Sequence, residues 1–334
     1  MIAVLSDPVR GTDTALSRAA VFHGGGDVTS AYVPAPQPEA RQVRVRLEGC
    51  GVCASNMPVW EGRPWFSYPF APGAPGHEGW GRVDAVGRDV TDLHVGDRVA
   101  MVSSRAYAEH DVADVDAVVK IPAALANVPV PGEPLGCAMN IFHRSDIRSG
   151  QTVAIVGIGF LGALLTSLCV SAGARVIAIS RRKSALLMAE HFGASSRIAL
   201  REPSQTIRET LRFCGKQGCE RVVEAVGNQE ALDIASALAG VRARLVIAGY
   251  HQDGPRSVNL QRWNWQGLDV VNAHERDPAE YRRGMQDAIE HIAAGTLDPT
   301  PLYTHVFPLA ETAAAFRTLA ERPDGFCKAL IDCQ

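Results

Sequence analysis

No apolar run in this 334-residue chain approaches the roughly 18 residues that a membrane-spanning helix needs. Charge of one sign is also missing, since 33 Lys and Arg against 36 Asp and Glu leave a net charge of −3. With a pI near 6.4, neither nucleic acid nor an anionic membrane is an expected partner. The opening stretch, MIAVLSDPVRGTDTALSR, has no continuous apolar core of the kind a signal peptide carries. A cytoplasmic protein is therefore expected. A second C-x-x-C, which would complete a four-cysteine zinc site with Cys50 and Cys53, is absent. The other six cysteines are Cys137, Cys169, Cys214, Cys219, Cys327 and Cys333. In a reducing compartment they are not expected to form a disulfide framework, and Cys169 reads as core. Repeats and low-complexity tracts are lacking too. What remains is an ordinary globular composition, 46% apolar and 21% charged, long enough for two domains.

The most informative stretch is TVAIVGIGFLGALLTSLCVSAGARVIAISRR, residues 152–182. An apolar run leads into Gly157, Gly159 and Gly162, spaced G-x-G-x-x-G. Phe160 and Leu161 open a helix-length segment, and a second apolar run follows Gly173. Strand, tight turn, helix and strand in that order make a dinucleotide-binding unit. One glycine turns the chain, one lets the backbone approach a pyrophosphate, and one lets the helix pack on the strand. The helix N-terminus offers unpaired N–H groups to the phosphates. At the end of the second strand, an NAD site usually presents a carboxylate to the ribose 2′-OH. This chain has Ser180, Arg181 and Arg182 there, followed by Lys183. Guanidinium forks suit a 2′-phosphate, so NADP(H) is expected over NAD(H).

Residues 1–17 read as a polar extension. From Arg18 the chain runs in short strands, with a loop-like, aromatic-rich stretch between Cys50 and Gly76, which suggests a β-rich domain with barrel-like closure. From Thr152 strands and helices alternate, the pattern of a doubly wound parallel sheet. A long amphipathic helix is expected from about Asp277. Strand-like pieces at THVFPL and CKALIDC then flank a last helix. The expected organisation is an extension over 1–17, a β-rich domain over 18–145, a cofactor domain over 146–275, and a return to the first domain over 276–334. Ala225, Val226, Gly249 and Tyr250 end later strands of the cofactor domain. Ligands lie beyond the carboxyl ends of such strands, so these residues are expected to face the nicotinamide and its ribose.

Two other stretches carry chemistry: GCGVCASN, residues 49–56, and GHEGWGRV, residues 76–83. Together with VGDRV and the glycine motif, they resemble the zinc-dependent medium-chain alcohol dehydrogenase superfamily, from about Arg18 to the C-terminus. The resemblance implies an α/β chain with a GroES-like catalytic domain and a Rossmann cofactor domain. It implies that Cys53 and His77 hold a catalytic zinc, with Glu78 as an exchangeable neighbour. A thiolate and an imidazole suit Zn²⁺, and catalytic sites keep one position open. For the third ligand, Glu133-Pro134-Leu135 aligns without gaps, counting back from Gly157, with the polyol (sorbitol-type) branch. Cys137 is the rival. Ser55 matches the hydroxyl that relays the alcohol proton.

Two positions depart from the family pattern. Asn56 stands where an aspartate usually supports the zinc histidine, and Pro58 where many members carry the histidine that ends the relay. The stretch from Val102 through SSRAYAEHDV holds no cysteine, so no structural zinc is expected. Trp60, Trp65, Phe66 and Tyr68 either build part of the substrate pocket or pack the domain or a subunit interface. The resemblance also implies a homodimer, or a tetramer built from dimers, paired through the strand at LDVVNA. The expected activity is hydride transfer between NADP(H) and a secondary alcohol, polyol or sugar-like alcohol, or the matching ketone or aldehyde. Two alternatives remain: a zinc-free quinone or enone reductase, and a nucleotide-binding protein without turnover.

Overall fold

The computed structural model describes residues 15–215 and 217–334. Most of the expected N-terminal extension lies outside those residues. Its last two positions, Leu16 and Ser17, already belong to a strand. The first part of the chain forms β1 (Leu16–Gly24), β2 (Asp27–Pro34), β3 (Gln42–Gly51), α1 (Met57–Glu61), β4 (Gly79–Val86), β5 (Arg98–Met101), β6 (His110–Asp114), β7 (Val118–Lys120) and α2 (Gly132–Ser145). The middle forms β8 (Thr152–Val156), α3 (Phe160–Ser171), β9 (Arg175–Ser180), α4 (Lys183–His191), β10 (Ser196–Ala199), α5 (Pro203–Cys214), β11 (Cys219–Glu224), α6 (Gln229–Leu238), β12 (Ala239–Ile247), α7 (Leu260–Gln266) and β13 (Asp269–Asn272). The last part forms α8 (Pro278–Ala293), β14 (Tyr303–Pro308), α9 (Thr312–Glu321) and β15 (Lys328–Asp332).

Strands β8 to β13 make one six-stranded sheet in the order β10-β9-β8-β11-β12-β13, with every pairing parallel. That is the doubly wound dinucleotide-binding order. All five residues of β8 are buried, as expected for a strand covered on both faces. A second sheet runs β14-β15-β3-β4-β5-β7, with β6 also on β3. Strand β3 is its spine. Its first half pairs with β6 and its last residues, Gly49 to Gly51, pair with β15. The C-terminal strand is thereby laid against the stretch that leads to Cys53.

Helix α2 was not legible, because Gly132, Pro134 and Gly136 all lower helix propensity. Pro134 is tolerated in the first turn, and Gly136 is required by packing. A Cβ on Gly136 would come within 2.8 Å of Met285 N on α8, and one on Gly284 would meet Gly136 O at 2.7 Å. Helices α2 and α8 therefore cross nearly backbone to backbone. Helix α8 begins where expected, with Asp277 Oδ1 accepting from Ala279 N at 2.9 Å.

One pair departs from the expectation that the cysteines form no disulfide framework. Cys214 and Cys219 are joined, with an S–S distance of 2.07 Å. The turn from α5 into β11 brings their Cα atoms to 5.2 Å, a proximity that sequence spacing does not reveal. Cys169 is buried core.

The β-rich part has its own core around Phe316 of α9. Its ring meets Phe22 at 5.1 Å and Tyr107 at 5.7 Å, both edge to face, and all three are fully buried. Phe316→Ala is expected to cost about 3–5 kcal/mol. The measurement is a thermal unfolding scan, which should show a lower midpoint for this part of the molecule.

Candidate metal and dinucleotide site

Between the two sheets lies a cleft of about 1320 Å³. Cys53, just beyond β3, and His77 and Glu78, just before β4, converge on its wall. One ligand atom from each lies within 4.8 Å of the others. Gly51 makes this possible, since a Cβ there would meet Glu78 Oε2 at 1.8 Å. Glu78 is fully buried. Its partner is Lys328 at the start of β15, whose Nζ is 2.7 Å from Oε1 and 2.6 Å from Oε2. Burial works against the Lys328 charge, but Glu78 and the nearby anionic groups hold its pKa above the ordinary lysine value. Nζ also sits 5.0 Å from the centre of the Phe160 ring, at the glycine turn.

The donor set fits a divalent cation of zinc type. It offers a sulfur, an imidazole and a carboxylate at one point. Burial disfavours the His77 imidazolium, yet a hydrogen bond to Cys53 and the charges of Cys53, Glu133 and Glu78 outweigh it and push the pKa up to about 10. Those groups favour a cation at this spot. His77 Nδ1 lies 3.0 Å from Pro75 O, which orients the ring and leaves Nε2 for a metal. Asn56, at the position of the family's aspartate, is engaged elsewhere. Its Oδ1 accepts from Tyr107 OH at 2.9 Å, so a backbone carbonyl, not residue 56, supports the histidine. Ser55 Oγ donates to Cys53 Sγ at 3.1 Å.

Glu133 and Cys137 sit one turn apart at the start of α2 and both line the cleft. Neither belongs to the 4.8 Å group among the described residues. Glu133 Oε1 is 3.3 Å from the Cys137 thiol and 3.3 Å from Tyr281 OH of α8. Burial raises the Glu133 pKa, against the pull of nearby His77. The sequence pointed to Glu133 but not to Lys328 or Tyr281. A lone lysine inside the apolar run FCKALIDC was the available signal for Lys328. For Tyr281 there was none.

At the other end of the cleft, Gly157 ends β8 with φ +101. A Cβ on Gly162 would meet Gly157 O at 2.0 Å, so this glycine serves helix packing. Gly159 differs: its φ is −97 and a Cβ would meet no protein atom within 4 Å. Neither backbone conformation nor protein packing demands a glycine there. Its small size leaves room beside the α3 N-terminus, the place a pyrophosphate takes in such folds. Phe160, Leu161, Ala225, Val226, Gly249 and Tyr250 all line the cleft. The loops after β11 and β12 are tied by buried Glu224, whose Oε1 accepts from Val226 N and Gly227 N at 2.7 and 2.8 Å. Its Oε2 lies 3.0 Å from His251 Nε2.

Ser180 is nearly buried, and its Oγ accepts from Arg182 N at 3.3 Å. Arg182 donates to Phe326 O and Ile158 O, while Arg181 pairs with Glu230 of α6. A carboxylate thus stands beside a strand end where the local sequence offers only Ser180 and cations. Glu230 reaches it from the first turn of α6, a proximity that sequence order concealed. The aromatic stretch divides. Trp65 lines the cleft and Phe66 borders both cleft and core, while Trp60 stacks on Phe316 and Tyr68 donates to Val59 O at 2.8 Å.

Gly159→Ala is expected to fold as the parent does and to weaken dinucleotide binding roughly tenfold or more, because only a ligand approaches that Cβ. Gly162→Ala should lower the unfolding temperature instead. Nicotinamide fluorescence titration and a melting scan on both variants separate the two roles.

The alcohol dehydrogenase GroES-like domain model matches residues 39–123, and the zinc-binding dehydrogenase model matches residues 161–291. The chain is 25% identical over 327 residues to 2-dehydro-3-deoxy-L-galactonate 5-dehydrogenase of Pseudoalteromonas atlantica, covering 89% of this chain and 93% of that protein. It is 25% identical to sorbitol dehydrogenase of Rattus norvegicus across 98% of both. A solved structure from Sinorhizobium meliloti, a candidate zinc-binding dehydrogenase bound to NADP, superposes with a TM-score of 0.82 at 24% identity, covering 95% of this chain and 99% of that one. A GroES-like domain and a Rossmann domain are the two halves of the architecture described above. The chain belongs to the zinc-type medium-chain alcohol dehydrogenase/reductase superfamily, near its polyol dehydrogenases.

Proposed function

We propose that the protein is a zinc-dependent, NADP(H)-preferring dehydrogenase that interconverts a secondary alcohol, polyol or sugar-like alcohol with its ketone or aldehyde. The observation that carries this reading is the convergence of Cys53, His77 and Glu78 in the same cleft as the glycine turn. Cys53 and His77 would hold the metal, Glu133 would complete the set from α2, and Glu78 would remain the exchangeable neighbour. Zinc in such a site acts as a Lewis acid on the alcohol oxygen and lowers its pKa. The chain's own work is to orient and to move a proton. Ser55, at Cys53, takes the hydroxyl proton and passes it to water in the cleft, since Pro58 supplies no further group. Phe160, Val226 and Tyr250 would hold the cofactor so that its nicotinamide faces the bound alcohol. Arg181 would pair with the ribose 2′-phosphate.

The relatives support the substrate class, because those named act on sugar acids and polyols. A zinc-free reductase would have no use for the convergent thiol–imidazole–carboxylate group. The expected result is about one zinc per chain by elemental analysis. Cys53→Ser should lose most of that zinc, and kcat should fall by at least about a hundredfold. Full activity in zinc-depleted protein would overturn the mechanism.

We also propose a homodimer joined along β13. This strand has a ladder partner, β12, on one side only among the described residues, and such an edge invites pairing. Sedimentation should give twice the chain mass. Val271→Pro in that strand should shift the particle toward monomer.

A further inference from the structure

The pair formed by Arg181 and Glu230 bears on cofactor choice. Arg181 directly follows β9 and Glu230 lies in the first turn of α6, and both line the cleft beside Ser180 and Leu200. Their side chains are 64% and 37% exposed, so neither is locked by packing. Arg182 is placed differently. Its guanidinium donates to the backbone carbonyls of Phe326 and Ile158, tying the start of α4 to the C-terminal segment. Lys183 faces outward on α4 and does not line the cleft. Of the three consecutive cations, Arg181 is the one whose fork can turn to a ligand at the strand end.

We propose that Glu230 is a specificity-determining residue, which competes with a ribose 2′-phosphate for Arg181 and so narrows the preference for NADP(H) over NAD(H). This rests on the proposed reading of Arg181 as the phosphate partner. The reasoning is a charge balance. With a 2′-phosphate bound, the guanidinium is shared or leaves Glu230, and the carboxylate faces a nearby phosphate of the same sign. With a 2′-hydroxyl bound, Arg181 keeps its pair, and the carboxylate can accept from the hydroxyl, as an acidic residue does in NAD sites. Glu230 thus does from α6 part of what a carboxylate at position 180 would do. Arg181 is largely solvated and Glu230 is more than a third exposed, so the effect is modest and falls with added salt.

The test is titration of wild type, Glu230→Gln and Arg181→Gln with NADPH and with NADH, followed by fluorescence, at low and high salt. Glu230→Gln is expected to tighten NADPH binding roughly threefold to tenfold and to leave NADH within about twofold or weaken it. The gain should shrink at high salt. Arg181→Gln is expected to weaken NADPH roughly tenfold or more with little change for NADH. If Arg181→Gln weakens NADPH but Glu230→Gln leaves the NADPH-to-NADH ratio unchanged, the role given to Glu230 is wrong and the phosphate site stands. If Arg181→Gln changes neither ligand, the phosphate site itself is wrong. If wild type binds NADH more tightly and Glu230→Gln shifts the ratio toward NADPH, the role of Glu230 is supported and the NADP(H) preference is overturned.

Discussion

Lys328 and Glu78 stand 250 positions apart and share one buried ion pair. Two charges removed from water are costly unless each satisfies the other, and removal of either leaves an uncompensated charge inside. The pair therefore commits the C-terminal strand to lie beside the segment that carries the metal-ligand candidates. Gly51 is the steric counterpart of that commitment, because any side chain there would occupy the space of the Glu78 carboxylate. Contact of Lys328 with the Phe160 ring extends the same tie to the glycine turn. One buried lysine thus touches both functional halves of the cleft.

A second constraint is steric. The close crossing of α2 and α8 at Gly136 and Gly284 lets Tyr281 of one helix reach Glu133 of the other. A larger residue at either glycine would separate the helices and leave Glu133 without that partner. The cleft wall on this side is set by two hydrogen atoms standing where side chains would be. The dinucleotide end is built by the same logic. Gly162 admits the helix, Gly159 leaves room beside it, and Glu224 ties the two loops that face them.

Much of this was legible in the amino-acid order. The parallel sheet follows from short apolar runs alternating with helical stretches, a local pattern. Gly157, Gly159 and Gly162 announce their turn because their spacing falls within six residues, Gly157 for its positive φ, Gly162 for helix packing and Gly159 for the room it leaves. Cys53, His77 and Glu78 were readable because each sits in a short motif. The less legible parts were those in which composition and tertiary need conflict. Helix α2 contains two glycines and a proline in its first five residues, so its propensity argues against the state that packing imposes. Nothing in the sequence marks the Pro75 carbonyl as the group to which the His77 ring turns.

By itself the sequence determined the class of the fold, the place of the dinucleotide turn and the chemical types available to a metal. Those properties depend on periodicity, backbone conformation and side-chain chemistry over a few neighbouring residues. Tertiary structure alone decided which groups meet: Lys328 with Glu78, Tyr281 with Glu133, and Glu230 with Arg181. Each of these contacts joins elements that are far apart along the chain. Their distances depend on how sheets and helices pack, and no local spacing carries that information.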